Sequence, residues 1–248
     1  MSRVTATVIV LLCCCGGAFF REIPSYIKVC KREQSTIDAC VRTAIETLRP
    51  RLAGGIAELK VPGIDPFYIP ELKVVSGDLA ALRASGKDVK VTGAGNFTIK
   101  TISVNLDNYA IKAKVRFPKL HFVGQYKIDA KVLVVPLHGQ GKIIADAVKT
   151  DAELSLHSKV ETRNGVEYLK FTGMDAVVSI RDYRVRLEGL FNGDKVLGEA
   201  ANRAINENRE EFLQATKPYV EKTVAKILLD SANKIANDIP LDKLLPKP

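Results

Sequence analysis

The chain has 248 residues, 46% of them apolar, enough for one large domain with a sizeable core. Its net charge is +9, but acidic residues are scattered among the basic ones and Trp is absent, which excludes a dedicated nucleic-acid surface and suits at most weak contact with anionic membranes. Gly and Pro, at 17 and 11 residues, are not enriched, which excludes a long disordered region.

Residues 1–18 read as a secretory signal. Arg3 supplies the positive start, Val4 to Cys15 is an apolar run, and Gly16 and Ala18 put small residues at a cleavage site. As a membrane span the run is short and ends in Gly16-Gly17, and no later stretch is long and apolar enough to cross a bilayer. The expectation is a secreted, extracellular product in which residues 19–248 form a single domain. Cys13, Cys14 and Cys15 leave with the signal. Cys30 and Cys40 remain as an even pair in an oxidising compartment, so a disulfide is the default. Their spacing is too wide for CxxC redox chemistry, and no His lies near them to complete a metal site.

A first helix follows. Ser35 or Thr36 can cap it, Asp38 suits its first turn, Ile37, Val41, Ala44, Ile45 and Leu48 form its apolar stripe, and Pro50 comes just after. From Gly54 to Pro70 the chain is extended and punctuated by proline, with Ile64, Phe67 and Ile69 expected against the body of the domain.

Between Lys73 and Glu188 the apolar period becomes two, as in Ile102, Val104 and Leu106, in Ile111, Ala113, Val115 and Phe117, and in Tyr126 and Ile128. Val178, Ile180, Val185 and Leu187 continue it. Asp107-Asn108, Asn164-Gly165 and Gly173 supply turns, and Asn164-Gly165 predicts a tight hairpin between Lys159-Val160 and Tyr168-Leu169. Such strands imply a curved antiparallel meander with one apolar face. Gly93-Ala94-Gly95 and Gly139-Gln140-Gly141 lack a third glycine and a following helix, so they read as sheet bends and not as phosphate loops. Asn96-Phe97-Thr98 is a glycosylation acceptor pattern in an expected strand, its occupancy left open.

From Lys195 to Ala236 the apolar positions step at helical spacing through Leu197, Ala201, Ile205, Phe212, Tyr219 and Ile227. A continuous helix there is roughly 60 Å long. Pro218 should kink or break it, and the alternative is two ordinary core helices meeting at that proline. Helix, meander, long helix together predict an α+β fold: a long C-terminal α-helix wrapped by a highly curved antiparallel β-sheet, enclosing a hydrophobic tunnel. A filled core is the alternative. The candidate ligand-binding residues are Phe67, Val104, Leu106, Phe117 and Tyr126, with Ile128, Val178, Phe212 and Tyr219; for each singly, plain packing is the competing role. A hydroxyl of Tyr126 or Tyr219 would orient a polar end of the ligand.

No catalytic, metal or cofactor site emerges. His121, His138 and His157 lack metal-ligand spacing, and there is no Gly-x-Ser-x-Gly or His-Glu-x-x-His pattern. An enzyme is therefore not expected.

Cys30, Cys40 and the helix after them, then Leu48-Arg49-Pro50, Gly54-Gly55-Ile56, Val61-Pro62-Gly63-Ile64-Asp65-Pro66 and Ile69-Pro70 run in a familiar order. So do Gly124-Gln125-Tyr126-Lys127-Ile128-Asp129, Val135-Pro136-Leu137-His138-Gly139-Gln140-Gly141 and the ending Ile239 to Pro246. In these segments the chain resembles the insect takeout and haemolymph juvenile-hormone-binding protein family. The resemblance implies a long helix wrapped by a curved sheet, in a fold related to the lipid-binding domains of bactericidal/permeability-increasing proteins. It also implies a tunnel for one terpenoid, fatty acid or similar lipid. The expected function is a secreted, monomeric carrier of a small hydrophobic ligand. The alternative is a membrane-interacting protein of the bactericidal/permeability-increasing type.

Overall fold

The structure is a computed structural model that describes residues 22–75, 82–132 and 135–248. The expected signal segment lies outside the described residues. Helix α1 (Ile37–Gly54) opens the fold. Two short strands, β1 (Gly55–Ile56) and β2 (Val61–Pro62), pair with each other, and the main sheet follows.

That sheet holds β3 (Phe67–Val75), β4 (Leu82–Thr92), β5 (Thr98–Asn105), β6 (Ala110–Val132), β7 (Val135–Arg163) and β8 (Val166–Leu187). Its order is β3-β4-β6-β7-β8, with β5 also pairing β6, and every pairing is antiparallel. Strands of 23, 29 and 22 residues for β6, β7 and β8 are several times the usual length of about 5–6 residues. Such strands must coil, and bulges help them. The register slips between Lys87 and Lys90, where Asp88 takes a positive φ of 52°, and again between His157 and Ser158. The hairpin expected at Asn164-Gly165 forms there, with φ of 50° and 77° at the two turn residues and Val160 opposite Leu169.

The sheet curls into a half-barrel, and α2 (Lys195–Glu207) and α3 (Arg209–Ala236) run along its open side. A short α4 (Leu241–Leu244) ends the chain, with Ile239 and Leu241 fully buried. Fold class and antiparallel pairing thus follow the sequence reading, but the sheet is not a plain meander, because β6 is long enough to pair β5 along Ala110–Arg116 and β4 along His121–Ala130; the helices differ as well. The long helix is interrupted at Asn208 (φ −104°, ψ 36°), and Pro218 lies inside α3. The Asn208 amide Nδ2 donates to the Ala204 carbonyl at 2.8 Å, closing α2 as a separate helix. Pro218 leaves the Gln214 carbonyl without its helical donor, but both residues are exposed, so water can serve it. In the same way α1 runs past the exposed Pro50 instead of stopping before it.

Edge strand β8 is stitched to both helices by side-chain amides. Asn202 Oδ1 accepts from Leu187 N–H at 2.8 Å while its Nδ2 donates to the Leu187 carbonyl at 2.9 Å. Asn206 repeats this with Val185, and Asn233 of α3 with Phe171. Glu221 Oε1 takes the Val178 N–H at 2.6 Å. The helices therefore occupy the hydrogen-bonding edge that another strand would use.

The Cys30–Cys40 disulfide forms, tying the N-terminal segment to α1. Asn96 lies in a one-turn 3-10 helix (Ala94–Asn96) and not in a strand, because Gly93 turns left-handed (φ 90°) and Asp65 accepts the Gly93 and Gly95 N–H groups at 3.0 Å each. Asn96 and Thr98 are exposed on either side of the buried Phe97.

Candidate functional site

Between α3 and the concave face of the sheet lies a cavity of about 240 Å³. Its floor is made by Tyr126 and Ile128 of β6, Ile143 and Ala145 of β7, and Val185 and Leu187 of β8, which the period-two alternation turns inward. Its roof is one face of α3, where Phe212, Thr216, Val220 and Thr223 follow each other at helical spacing. Ile69 and Leu72 of β3 with Val89 of β4 close one side. The space exists because small residues, Ala84, Gly86, Ala145 and Ala147, stand where larger ones would reach the helix.

The polar groups that border it are tied to the protein. Tyr126 is 8% exposed, and its hydroxyl donates to the Glu188 carbonyl at 2.9 Å. Burial, with the Glu188 charge adding to it, pushes this phenol up to about 12. The Tyr183 hydroxyl donates to the Arg209 carbonyl. Burial raises it to about 12 as well, against the opposing pull of the Arg209 charge and the Leu213 N–H. Thr216 Oγ1 donates to the Phe212 carbonyl at 2.9 Å.

Of the residues expected to bind ligand, the fold brings Tyr126, Ile128 and Phe212 together at the cavity. Val104 is buried under α1 with Cys30 and Ile37, and Leu106 packs on the same cluster. Phe117 sits with its ring 6.5 Å from that of Phe97. Phe67 packs against the cluster of Ile69, Val91 and Leu120. Val178 meets α3 through the Glu221 bond, and Tyr219 is half-buried on α3 without lining the cavity. Sequence reasoning did not select Tyr183 or Val220. Tyr183 lies one period before Val185, and Val220 lies two turns past Phe212, so both carried the signal. Among the histidines, His121 and His157 each lie 3.1 Å from a carboxylate, Asp146 and Asp175, and His138 stacks edge-on against Phe191.

A helix laid across the concave face of an antiparallel half-barrel, with a cavity lined almost wholly by carbon, defines an α+β scaffold for small apolar molecules. Residues 8–246 match the family model described as haemolymph juvenile hormone binding protein, and the chain belongs to that family. A putative beta-carotene-binding protein of Schistocerca gregaria is 23% identical over 208 residues, 83% of this chain and 82% of that one. The crystal structure of Epiphyas postvittana Takeout 1 shares the fold at a TM-score of 0.75 and 19% identity, over 88% of this chain and 99% of that one.

Proposed function

We propose that the protein is a secreted, monomeric carrier that holds one small hydrophobic molecule in the cavity between α3 and the sheet. The cavity itself carries this reading: a core built to be solid would not set alanines and a glycine opposite a helix face and leave about 240 Å³ between them. Transfer of apolar ligand surface into it contributes about 25 cal/mol per Å² before ordering costs are subtracted. The signal-like residues 1–18 and the Cys30–Cys40 disulfide support secretion. Membership of a family described by hormone binding supports a lipid-like ligand, as does similarity to a protein described as binding beta-carotene. Family and relative alike are described by binding and not by catalysis.

Native mass spectrometry of the secreted protein, followed by organic extraction, tests the reading. A discrete lipid released from the folded monomer is the expected result. An empty protein that takes up no apolar fluorophore and instead binds anionic vesicles in a salt-dependent way would replace the carrier with a membrane-interacting protein.

A further inference from the structure

The cavity's hydrogen bonding limits the electrical character of what it can hold. Tyr126, Tyr183 and Thr216 each use their only hydroxyl hydrogen on a backbone carbonyl, of Glu188, Arg209 and Phe212 respectively. None of the three keeps a hydroxyl hydrogen for a ligand, and the surface that faces the cavity is almost wholly carbon. Two further hydroxyls border it without a partner among the described residues: Thr223 on the roof, and Ser85, which alternates with Ala84 and Gly86 on β4. A neutral hydroxyl can meet a hydroxyl or carbonyl oxygen, but it does not offset the desolvation of an ion.

Charge is arranged in the same sense. Lys127 borders the cavity, but it alternates with the buried Tyr126 and Ile128 and is itself exposed, so its ammonium has access to water. Asp146 alternates with the inward Ala145 and Ala147, and is held from outside by Lys119 at 3.2 Å and His121 at 3.1 Å. Arg209, whose carbonyl accepts the Tyr183 hydrogen bond, places its guanidinium 3.2 Å from Asp182, with both side chains more than half exposed. Lys217 on α3 is engaged with Glu221 at 3.6 Å. No cation faces the cavity among the described residues, and the two tyrosines resist ionisation.

We infer, on the basis of the carrier reading above, that the cavity selects uncharged lipids. A hydrocarbon, or a lipid whose one polar group is a hydroxyl, fits it, and an ionised fatty acid is rejected.

The test is displacement of the neutral fluorophore phenylnaphthylamine from the purified full chain by dodecanol and by dodecanoate. At neutral pH dodecanol should displace it at a concentration at least about tenfold lower than dodecanoate, a gap of about 1.4 kcal/mol. That gap should close as the pH falls toward the carboxyl range near about 4. Thr223→Arg places a cation in the cavity and should improve dodecanoate relative to dodecanol. Equal or better displacement by dodecanoate in the unsubstituted protein overturns the inference and leaves the carrier reading standing. Failure to take up phenylnaphthylamine at all overturns both. The comparison in the unsubstituted protein stands whether or not the variant folds.

Discussion

The side chain of Asn202 forms a closed pair with the backbone of Leu187, accepting its N–H at 2.8 Å and returning a donor to its carbonyl at 2.9 Å. Both residues are buried, Asn202 at 8% and Leu187 at 4% exposure. Asn202→Ala therefore strands a buried donor and a buried acceptor, and should lower the unfolding free energy by about 1–3 kcal/mol. Asn202→Leu, close in size, should lose about as much, because the missing partner and not the missing volume is what costs. Urea unfolding measures both, and a leucine variant as stable as the unsubstituted protein would show that the pairing contributes nothing.

Small residues create the cavity, so enlarging one should abolish binding with little harm to the fold. Ala145→Leu grows into space bordered by Tyr126, Val185 and Phe212. Overpacking a filled core costs about 1–3 kcal/mol, and growth into a void should fall at or below the lower end of that range. Uptake of phenylnaphthylamine should drop at least about tenfold while the urea midpoint stays within the range of conservative core changes. Undiminished uptake would move the binding site elsewhere.

How far the sequence foretold these features depends on what each feature needs. The β7–β8 hairpin needs only a local conformation, and Asn164-Gly165 announces it. The inward faces of β6 and β8 need only alternation, and Tyr126, Ile128 and Val185 show it. The position of the cavity needs more. Val104 and Tyr126 share the inward sense on strands of one sheet, yet Val104 meets α1 while Tyr126 meets the space under α3, because a coiled sheet carries its inner face past different partners along its length. Periodicity reports the face and is silent about the partner. The break at Asn208 was likewise hidden, since it rests on a side-chain bond to Ala204 that no breaker residue signals, whereas Pro218 signalled one that solvent exposure makes unnecessary.

Alkaline titration should report the buried phenol of Tyr126 and the half-buried one of Tyr183. Tyr126 and Tyr183 both stand at about 12, above the unfolded value of 10.0, chiefly because burial disfavours the phenolate. A folded pKa raised above the unfolded one gives a stability contribution that is complete below about pH 10 and is lost as the pH climbs through about 12. Tyrosinate absorbance should show a late-titrating class, and the double variant Tyr126→Phe/Tyr183→Phe should remove it. If both tyrosines ionise near 10 in the folded protein, the cavity is wetter than described.

The acceptor sequence around Asn96 should be accessible to glycosylation once it leaves the expected strand for the 3-10 turn. Asn96 and Thr98 are exposed while Phe97 anchors the turn in the core at 8% exposure. Secreted from a eukaryotic host, the protein should lose one glycan's mass on treatment with an amide-cleaving glycosidase, and Asn96→Gln should abolish the shift. A deglycosylation shift that persists in the variant would assign the glycan to another residue.

The Cys30–Cys40 bridge closes a loop with a sequence separation of 10 and joins a buried sulfur at Cys30 to the same cluster that holds Ile37 and Val104. In the loop-entropy account a short loop of this kind is worth about 2–3 kcal/mol, through constraint of the unfolded chain. A Cys30→Ala/Cys40→Ala pair should therefore unfold at lower urea concentration. It should retain phenylnaphthylamine uptake under native conditions, because no cavity residue touches the bridge. Loss of uptake with little change in the unfolding midpoint would couple the N-terminal cluster to the cavity. The bridge would then hold the sheet's curl as well as restrain the unfolded chain.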